Sequence, residues 1–198
     1  TRHHQVIDYV NHVAENSDFA QTTPYGKTNE DRTLQLVYLS APENLAQLET
    51  MRKDHLRSIG YAEGAKETTK GFSIVWLSYN VHGNESTSTE AALKTLHTLV
   101  TEKQDWLENL IVILDPCINP DGRDRYVNWY NQVKSTPFDS SPLANEHFED
   151  WPGGRYNHYY FDLNRDWAWL SQKESQQRLP NYLAWMPQIH VDCHEQGV

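Results

Sequence analysis

Short apolar runs of strand length alternate along this chain with segments whose apolar residues recur at the spacing of an α-helix. The helical segments are 3–15, a stretch opened by Pro42, 86–100 and 171–185. Pro180 lies inside the last of these and is expected to break or kink it. The strand-like runs are 34–39, 74–77, 111–114 and 188–194. This alternation predicts an α/β fold in which a mainly parallel mixed sheet is flanked by helices.

Three segments show neither the helical spacing of apolar residues nor an apolar run of strand length. Pro24 to Gly26 is predicted to form a turn, and 60–71 a polar loop. The segment 123–160 is rich in proline, glycine, asparagine and aromatic residues. Because long loops of this composition usually carry function, we expect this segment to contribute to a site.

Charge and composition exclude several classes of protein. The chain carries 17 Lys and Arg against 27 Asp and Glu, a net charge of −10, which disfavours nucleic acid as a partner. No apolar run approaches the roughly 20 residues that a transmembrane helix needs, so no membrane span is expected. The two cysteines, Cys117 and Cys193, are too few for a disulfide framework or a cysteine-ligated zinc site. They are interpreted as inert core thiols.

Polar clusters directly follow three of the predicted strands. Residues 82–85 follow the strand at 74–77, residues 119–122 follow the strand at 111–114, and residues 192–195 end the last strand. In sheets of this kind, ligands bind beyond the carboxyl ends of the strands. The functional site is therefore expected at that edge.

An imidazole and a carboxylate three residues apart, His82 and Glu85, are ligands that zinc accepts. A catalytic zinc site needs about three protein ligands and an open position. His194, at the end of another predicted strand, is the candidate for the third, although a strand-end histidine bonded to a neighbour is an equal alternative.

Two other arrangements compete with this set. His12 and Glu15 have the same spacing but lie within a predicted helix, where we interpret them as a solvated face. His190 lies on the same strand face as His194 but about 13 Å deeper at ~3.3 Å per residue, and is interpreted as structural.

The densest polar cluster is 162–167. The guanidinium of Arg165 suits a carboxylate, and Asn164 could add an amide donor. The alternative is a buried salt bridge between Arg165 and Asp162 or Asp166.

Five segments, taken in order, resemble motifs of the zinc carboxypeptidase family, the carboxypeptidase A-like metallopeptidases. The first, 25–28 with Arg32, resembles the opening strand region of the family. The others are 80–85, 119–122, 162–165 and 192–194, which are similar to the first zinc motif, the Asn-Pro-Asp-Gly turn, the substrate-binding motif and the third-ligand motif. Each is short, but five in this order are specific.

The resemblance implies one zinc ion held by three residues, with water in the open position. Those residues are His82, Glu85 and His194. It also implies that Asp162 accepts the second ring N–H of His82, which fixes the tautomer of that ligand. Asn164 and Arg165 would then bind the terminal carboxylate of a peptide substrate.

Two parts of the family pattern are not evident in the sequence. For the arginine that polarises the scissile carbonyl, Arg125 is the first candidate and Lys134 the next. The family's general-base glutamate and substrate-capping tyrosine come well after the third ligand, and so would lie beyond Val198. Glu195 is nearby but not at the position of the base. Residues 1–198 are therefore expected to form the N-terminal portion of a single peptidase catalytic domain.

The activity implied is that of a metallocarboxypeptidase, which hydrolyses the C-terminal peptide bond of a peptide with a free carboxylate by a metal-activated water. Hydrolysis of cell-wall peptides or N-acyl amino acids stays open, as does a zinc- or peptide-binding module without catalysis. The resemblance points to a secreted or periplasmic location. If the domain is truncated, the strand at 188–194 lacks a neighbour, and the chain should expose apolar surface and self-associate.

Overall fold

The computed structural model describes residues 1–67 and 71–195. The helices are α1 (His3–Asn16), α2 (Pro42–Leu45), α3 (Leu48–Ser58), α4 (Ser86–Thr101), α5 (Pro120–Val133) and α6 (Lys173–Trp185). The strands are β1 (Ala20–Lys27), β2 (Thr33–Leu39), β3 (Ser73–Tyr79), β4 (Leu110–Asp115) and β5 (Ile189–Cys193). Short 3-10 helices cover Gln104–Glu108, Asn145–His147 and Leu163–Arg165. The predicted loop at 60–71 contains no helix or strand where it is described, and its residues Thr68, Thr69 and Lys70 lie outside the described residues.

The strands form one mixed sheet in the order β1-β2-β4-β3-β5. β3 pairs in parallel with β4 and β5, whereas β2 pairs antiparallel with β1 and β4, so only β2 runs against the other described strands. Ser78 of β3 is opposite both Asp115 of β4 and Asp192 of β5. The carboxyl ends of these three strands are therefore level. The predicted α/β fold, a mixed sheet flanked by helices, is confirmed.

The central strands are apolar throughout because both faces of the sheet are covered. On β4, Val112 and Leu114 pack into the core beneath α1 and α4. The alternate residues, Ile111 and Ile113, pack into a second core beneath α3 and α6. The sheet is thus the middle of three layers, and its carboxyl edge is left for polar loops.

Two predicted interruptions of regular structure are wrong. Pro24 to Gly26 lie inside β1, where a shift in the pairing with β2 absorbs the proline. A proline is tolerated there because β1 is an edge strand of the described sheet. The predicted break at Pro180 is also wrong, since α6 runs from Lys173 to Trp185 around it, whereas the alternative of a kink stays a prediction. Burial of Trp185 against the sheet offsets the backbone bond that the proline removes.

The segment 123–160, predicted to be irregular, contains most of α5. The helix begins at Pro120, and the side chain of Asn119 accepts a hydrogen bond of 3.0 Å from the N–H of Gly122. An asparagine cap followed by proline is a strong helix start. In the sequence, the Asn-Pro and Asp-Gly pairs favoured a turn at this point, because these residues are common both in turns and at the starts of helices.

β5 is an edge strand of the sheet in the part of the chain described. Its residues Ile189 and Val191 are 52% and 42% exposed, as expected for a strand without a neighbour on that side. Self-association stays a prediction. No described helix combines the length and the apolar character that crossing a bilayer requires. Cys117 is a free, buried thiol whose pKa burial raises to about 12, which fits an inert core residue.

Candidate metal centre

The loop after β3 is shaped by Asn80, which is fully buried and has a φ of 58°. Asparagine tolerates this left-handed conformation better than most residues. Its side-chain amide donates hydrogen bonds to the carbonyl oxygens of His82 at 2.8 Å and Glu85 at 2.9 Å. These bonds curl the loop so that the side chains of His82 and Glu85 face each other.

Gly83, at the centre of this loop, is packed against backbone. A Cβ atom on Gly83 would lie 2.2 Å from the amide nitrogen of Arg123 and 2.4 Å from the carbonyl oxygen of Gly154. The loop therefore rests directly on the first turn of α5 and on the segment that contains Gly154. Only glycine allows this approach.

The three predicted metal ligands converge. His82 Nδ1 lies 2.6 Å from one carboxylate oxygen of Glu85, and His194 Nδ1 lies 3.1 Å from the other. The ligand atoms of all three residues lie within 4.8 Å of one another. The side chains of His82 and Glu85 are 3% and 10% exposed, whereas that of His194 is 30% exposed. Two of the three side chains are thus buried, and the third, His194, is partly exposed to solvent.

The outer nitrogens of both rings also face carboxylates. His82 Nε2 lies 2.9 Å from Asp162, and His194 Nε2 lies 3.3 Å from Asp192. A neutral imidazole has one N–H to donate, so donation to the outer carboxylate leaves the Nδ1 lone pair facing Glu85. A cation held by His82, His194 and Glu85 would remove that repulsion. Two nitrogens and one carboxylate are also a ligand set of catalytic zinc sites, so these residues fit the metal.

Arg155 lies at the centre and was not identified from the sequence. Its Nη2 donates a 3.0 Å hydrogen bond to Asp162, and its Nη1 is 4.0 Å from Glu85. Burial would raise the pKa of Asp162, but hydrogen bonds from His82 and Arg155 hold it below the usual value. Asp162 therefore stays ionised and can polarise His82. In the sequence, Arg155 directly follows the glycine pair Gly153 and Gly154, and this turn signal could have marked it as a candidate site residue.

Neither of the two residues predicted to polarise the scissile carbonyl lies at this position. Arg125 donates to the carbonyl oxygens of Gly153, Tyr156 and Asn157 at 3.0, 3.2 and 3.1 Å. Its guanidinium donates to three backbone carbonyl groups of the loop that carries Arg155, so it braces this loop. Lys134 is exposed at the C-terminal end of α5.

Asn164 and Arg165 form the 3-10 turn that follows Asp162. The carboxylate of Asp162 caps the turn by accepting the N–H of Asn164 at 3.0 Å, and Leu163 is buried beneath it. The Arg165 side chain is exposed and donates to the carbonyl oxygen of Asn164 at 3.1 Å. Among the described contacts, Asp162 pairs with Arg155, and Asp166 accepts from Ser171 and Gln172. The alternative of a buried salt bridge to Arg165 is therefore not what the structure shows.

A second group with metal-like spacing already contains a cation. Glu30, Asp121 and His158 lie close enough to share an ion. Arg32 Nη1, however, donates to Glu30 at 2.6 Å and to Asp121 at 2.8 Å. The arginine neutralises the carboxylates, so this group is an ion-pair network between the loop that joins β1 to β2 and the first turn of α5.

The competing histidines have the structural roles predicted for them. His190 Nε2 lies 2.9 Å from the hydroxyl of Ser78, and its ring packs edge-on against Trp167 and tilted against Tyr182. His12 and Glu15 are both exposed on α1.

Comparison with models of known protein families identifies the family of this chain. The zinc carboxypeptidase family model matches residues 6–182, so the chain belongs to the zinc carboxypeptidase family of peptidases. The match includes His82, Glu85 and the 162–165 motif and ends before His194. No curated protein matches the chain.

Solved carboxypeptidases have the same fold. Carboxypeptidase A from Helicoverpa armigera superposes with a TM-score of 0.63 at 15% identity, over 100% of this chain and 46% of that one. A metallo-carboxypeptidase from Burkholderia cenocepacia gives a TM-score of 0.63 at 16% identity, over 96% of this chain and 39% of that one. The chain thus spans less than half the length of these two structures.

Proposed function

We propose that the chain provides the metal site and part of the substrate site of a zinc-dependent metallocarboxypeptidase that removes residues from peptide C-termini. The observation that carries the proposal is the convergence of His82, Glu85 and His194, with the exposed guanidinium of Arg165 on the turn beside it. When bound, zinc supplies a Lewis acid and lowers the pKa of its water.

The residues of this chain then have separate roles. Asp162 accepts a hydrogen bond from the Nε2–H of His82 and so holds Nδ1 towards the metal position. We assign to Arg155, rather than to Arg125 or Lys134, the stabilisation of the negative charge that develops on the scissile carbonyl oxygen, because its guanidinium lies 4.0 Å from Glu85. Asn164 and Arg165 bind the terminal carboxylate, which restricts cleavage to the last peptide bond.

The general base is proposed to lie outside this chain. Glu195, the carboxylate that follows the third ligand, is already hydrogen-bonded to the first turn of α4. Residues 1–198 would then be the N-terminal portion of a peptidase catalytic domain. The 39% and 46% of the two solved relatives that this chain covers support a portion rather than the whole. A secreted or periplasmic location, which the resemblance implies, completes the proposal.

The proposal is tested by comparing an N-acylated dipeptide with its C-terminal amide as substrates of the intact protein. The free acid should be cleaved much faster. Arg165→Met should lower kcat/KM for the acid about 10- to 100-fold, the loss of one or two charge-assisted hydrogen bonds. Lys134→Met, which removes an exposed charge elsewhere, is the matched control and should leave the rate unchanged.

Other outcomes identify the alternatives. Equal cleavage of acid and amide would contradict recognition of the terminal carboxylate. Preferred cleavage of the acyl group from an N-acyl amino acid would indicate an amidohydrolase. Stoichiometric zinc without cleavage of any of these substrates would indicate a binding module.

A further inference from the structure

Helix α4 begins at the metal centre, and its own N-cap residue is not available to cap it. That residue is Glu85, which makes no side-chain cap hydrogen bond. Its two carboxylate oxygens face His82 and His194 instead. The N–H groups of the first helical turn therefore need an acceptor from elsewhere.

Glu195, two residues after the end of β5, supplies that acceptor. Its Oε1 accepts the N–H of Thr87 at 2.5 Å and that of Ser88 at 3.3 Å. A negative charge near the N-terminus of a helix is also favoured by the helix dipole. A carboxylate distant in sequence thus replaces the cap that Glu85 cannot provide.

The backbone around His194 is tied to the same loop at two further points. The N–H of Glu195 donates to Oε2 of Glu85 at 3.0 Å. The hydroxyl of Ser88 donates to the carbonyl oxygen of Cys193 at 3.1 Å and accepts the N–H of Asn80 at 2.8 Å. Residues on both sides of the third ligand are therefore fixed to the element that carries the first two.

We infer that Glu195 is a positioning residue of the metal centre. Its carboxylate clamps the end of β5 to the first turn of α4, and this clamp sets the separation between His194 and Glu85. The inference rests on the proposed function only in that zinc binds to these ligands. Glu195 thereby has a role other than that of the general base.

The test is the zinc affinity of the intact protein, measured by competition with a chelator of known affinity. Glu195→Ala should bind zinc about 10- to 100-fold more weakly, the usual effect of losing a group that orients a metal ligand. Glu195→Gln should lose less, because its amide oxygen still accepts from Thr87. Glu102→Ala, at the opposite end of α4, is the matched control and should bind zinc as the wild type does.

Two further measurements separate positioning from simple stabilisation of the helix. The melting temperature of the metal-free protein reports on the helix cap, and the visible absorption spectrum of the cobalt-substituted protein reports on ligand geometry. Positioning predicts that Glu195→Ala changes both the zinc affinity and the cobalt spectrum. A lower melting temperature with wild-type affinity and spectrum would overturn the inference. If Glu195→Ala does not fold, Glu195→Gln decides by the same affinity: a loss of about threefold or more supports the inference, and wild-type affinity overturns it.

His82→Ala distinguishes this inference from the proposed function. If His82→Ala loses zinc and Glu195→Ala does not, the metal site is correct and the clamp is wrong. If His82→Ala retains zinc at wild-type affinity, the proposed metal site itself is wrong.

Discussion

A methyl group at Gly83 would have no space, and this makes Gly83→Ala a direct probe of the metal loop. The added Cβ would lie 2.2 Å from the backbone nitrogen of Arg123 and 2.4 Å from the carbonyl oxygen of Gly154. Both neighbours are backbone atoms of packed segments, so neither can rotate away as a side chain could. Over-packing of this kind costs about 1–3 kcal/mol, and rigid neighbours place it near 3.

For a chain of this length, such a cost lowers the melting temperature by about 6–12 °C. The loop must also shift, so zinc affinity should fall together with stability. Gly71 is the matched control, because a Cβ there meets no atom of the described residues within 4 Å. Thermal unfolding and chelator competition on Gly83→Ala and Gly71→Ala provide the comparison. The reasoning is refuted if the two variants melt at the same temperature and bind zinc equally.

Two further predictions concern stability and association. Burial raises the pKa of Asp115 from 3.8 to about 7, against the opposing effects of Arg178 and the Tyr25 hydroxyl. The folded state therefore binds a proton that the unfolded state has lost, so this contribution to stability is present below pH 4 and lost as the pH rises to about 7. Urea unfolding across this pH range should show a smaller loss of stability in Asp115→Asn than in the wild type. Asp8→Asn, at an exposed position, is the control and should lose as much stability as the wild type. Equal slopes of stability against pH in all three proteins would contradict the prediction. Residues 1–198 should self-associate through the β5 edge, and Val191→Lys should reduce this in sedimentation velocity, whereas association unchanged by the lysine would locate the contact elsewhere.

Most of the fold was predictable because strands buried on both faces and amphipathic helices carry distinct patterns. Three of the departures from the predicted elements share one cause. At Pro24, Pro180 and the start of α5, the local signal is a proline, whose effect depends on its surroundings. An edge strand accommodates Pro24, tertiary packing offsets the bond lost at Pro180, and the Asn119 cap turns Pro120 into a helix start.

The convergence of the three proposed metal ligands was predictable because parallel strands bring their carboxyl ends to one edge, whatever the distance between them in sequence. Arg155 was not, because its position depends on contacts that no spacing encodes. Asn119 accepts from Gly122 within α5 while its amide donates to the Arg155 carbonyl at 3.1 Å, and Arg125 holds the same loop from the other side. Arg125, three residues after the Asn-Pro-Asp-Gly motif, thus braces the loop, and the later Arg155 lies beside the site.

The central claim is that His82, Glu85 and His194 bind zinc. Its most direct test replaces His190, within β5, and His194, directly after β5, one at a time in the intact protein and measures zinc content and affinity. His194→Ala should lose tight zinc binding, whereas His190→Ala, four residues earlier and bonded to Ser78, should retain about one ion per chain. Equal zinc binding by the two variants, or loss only in His190→Ala, would contradict a centre built from His82, Glu85 and His194.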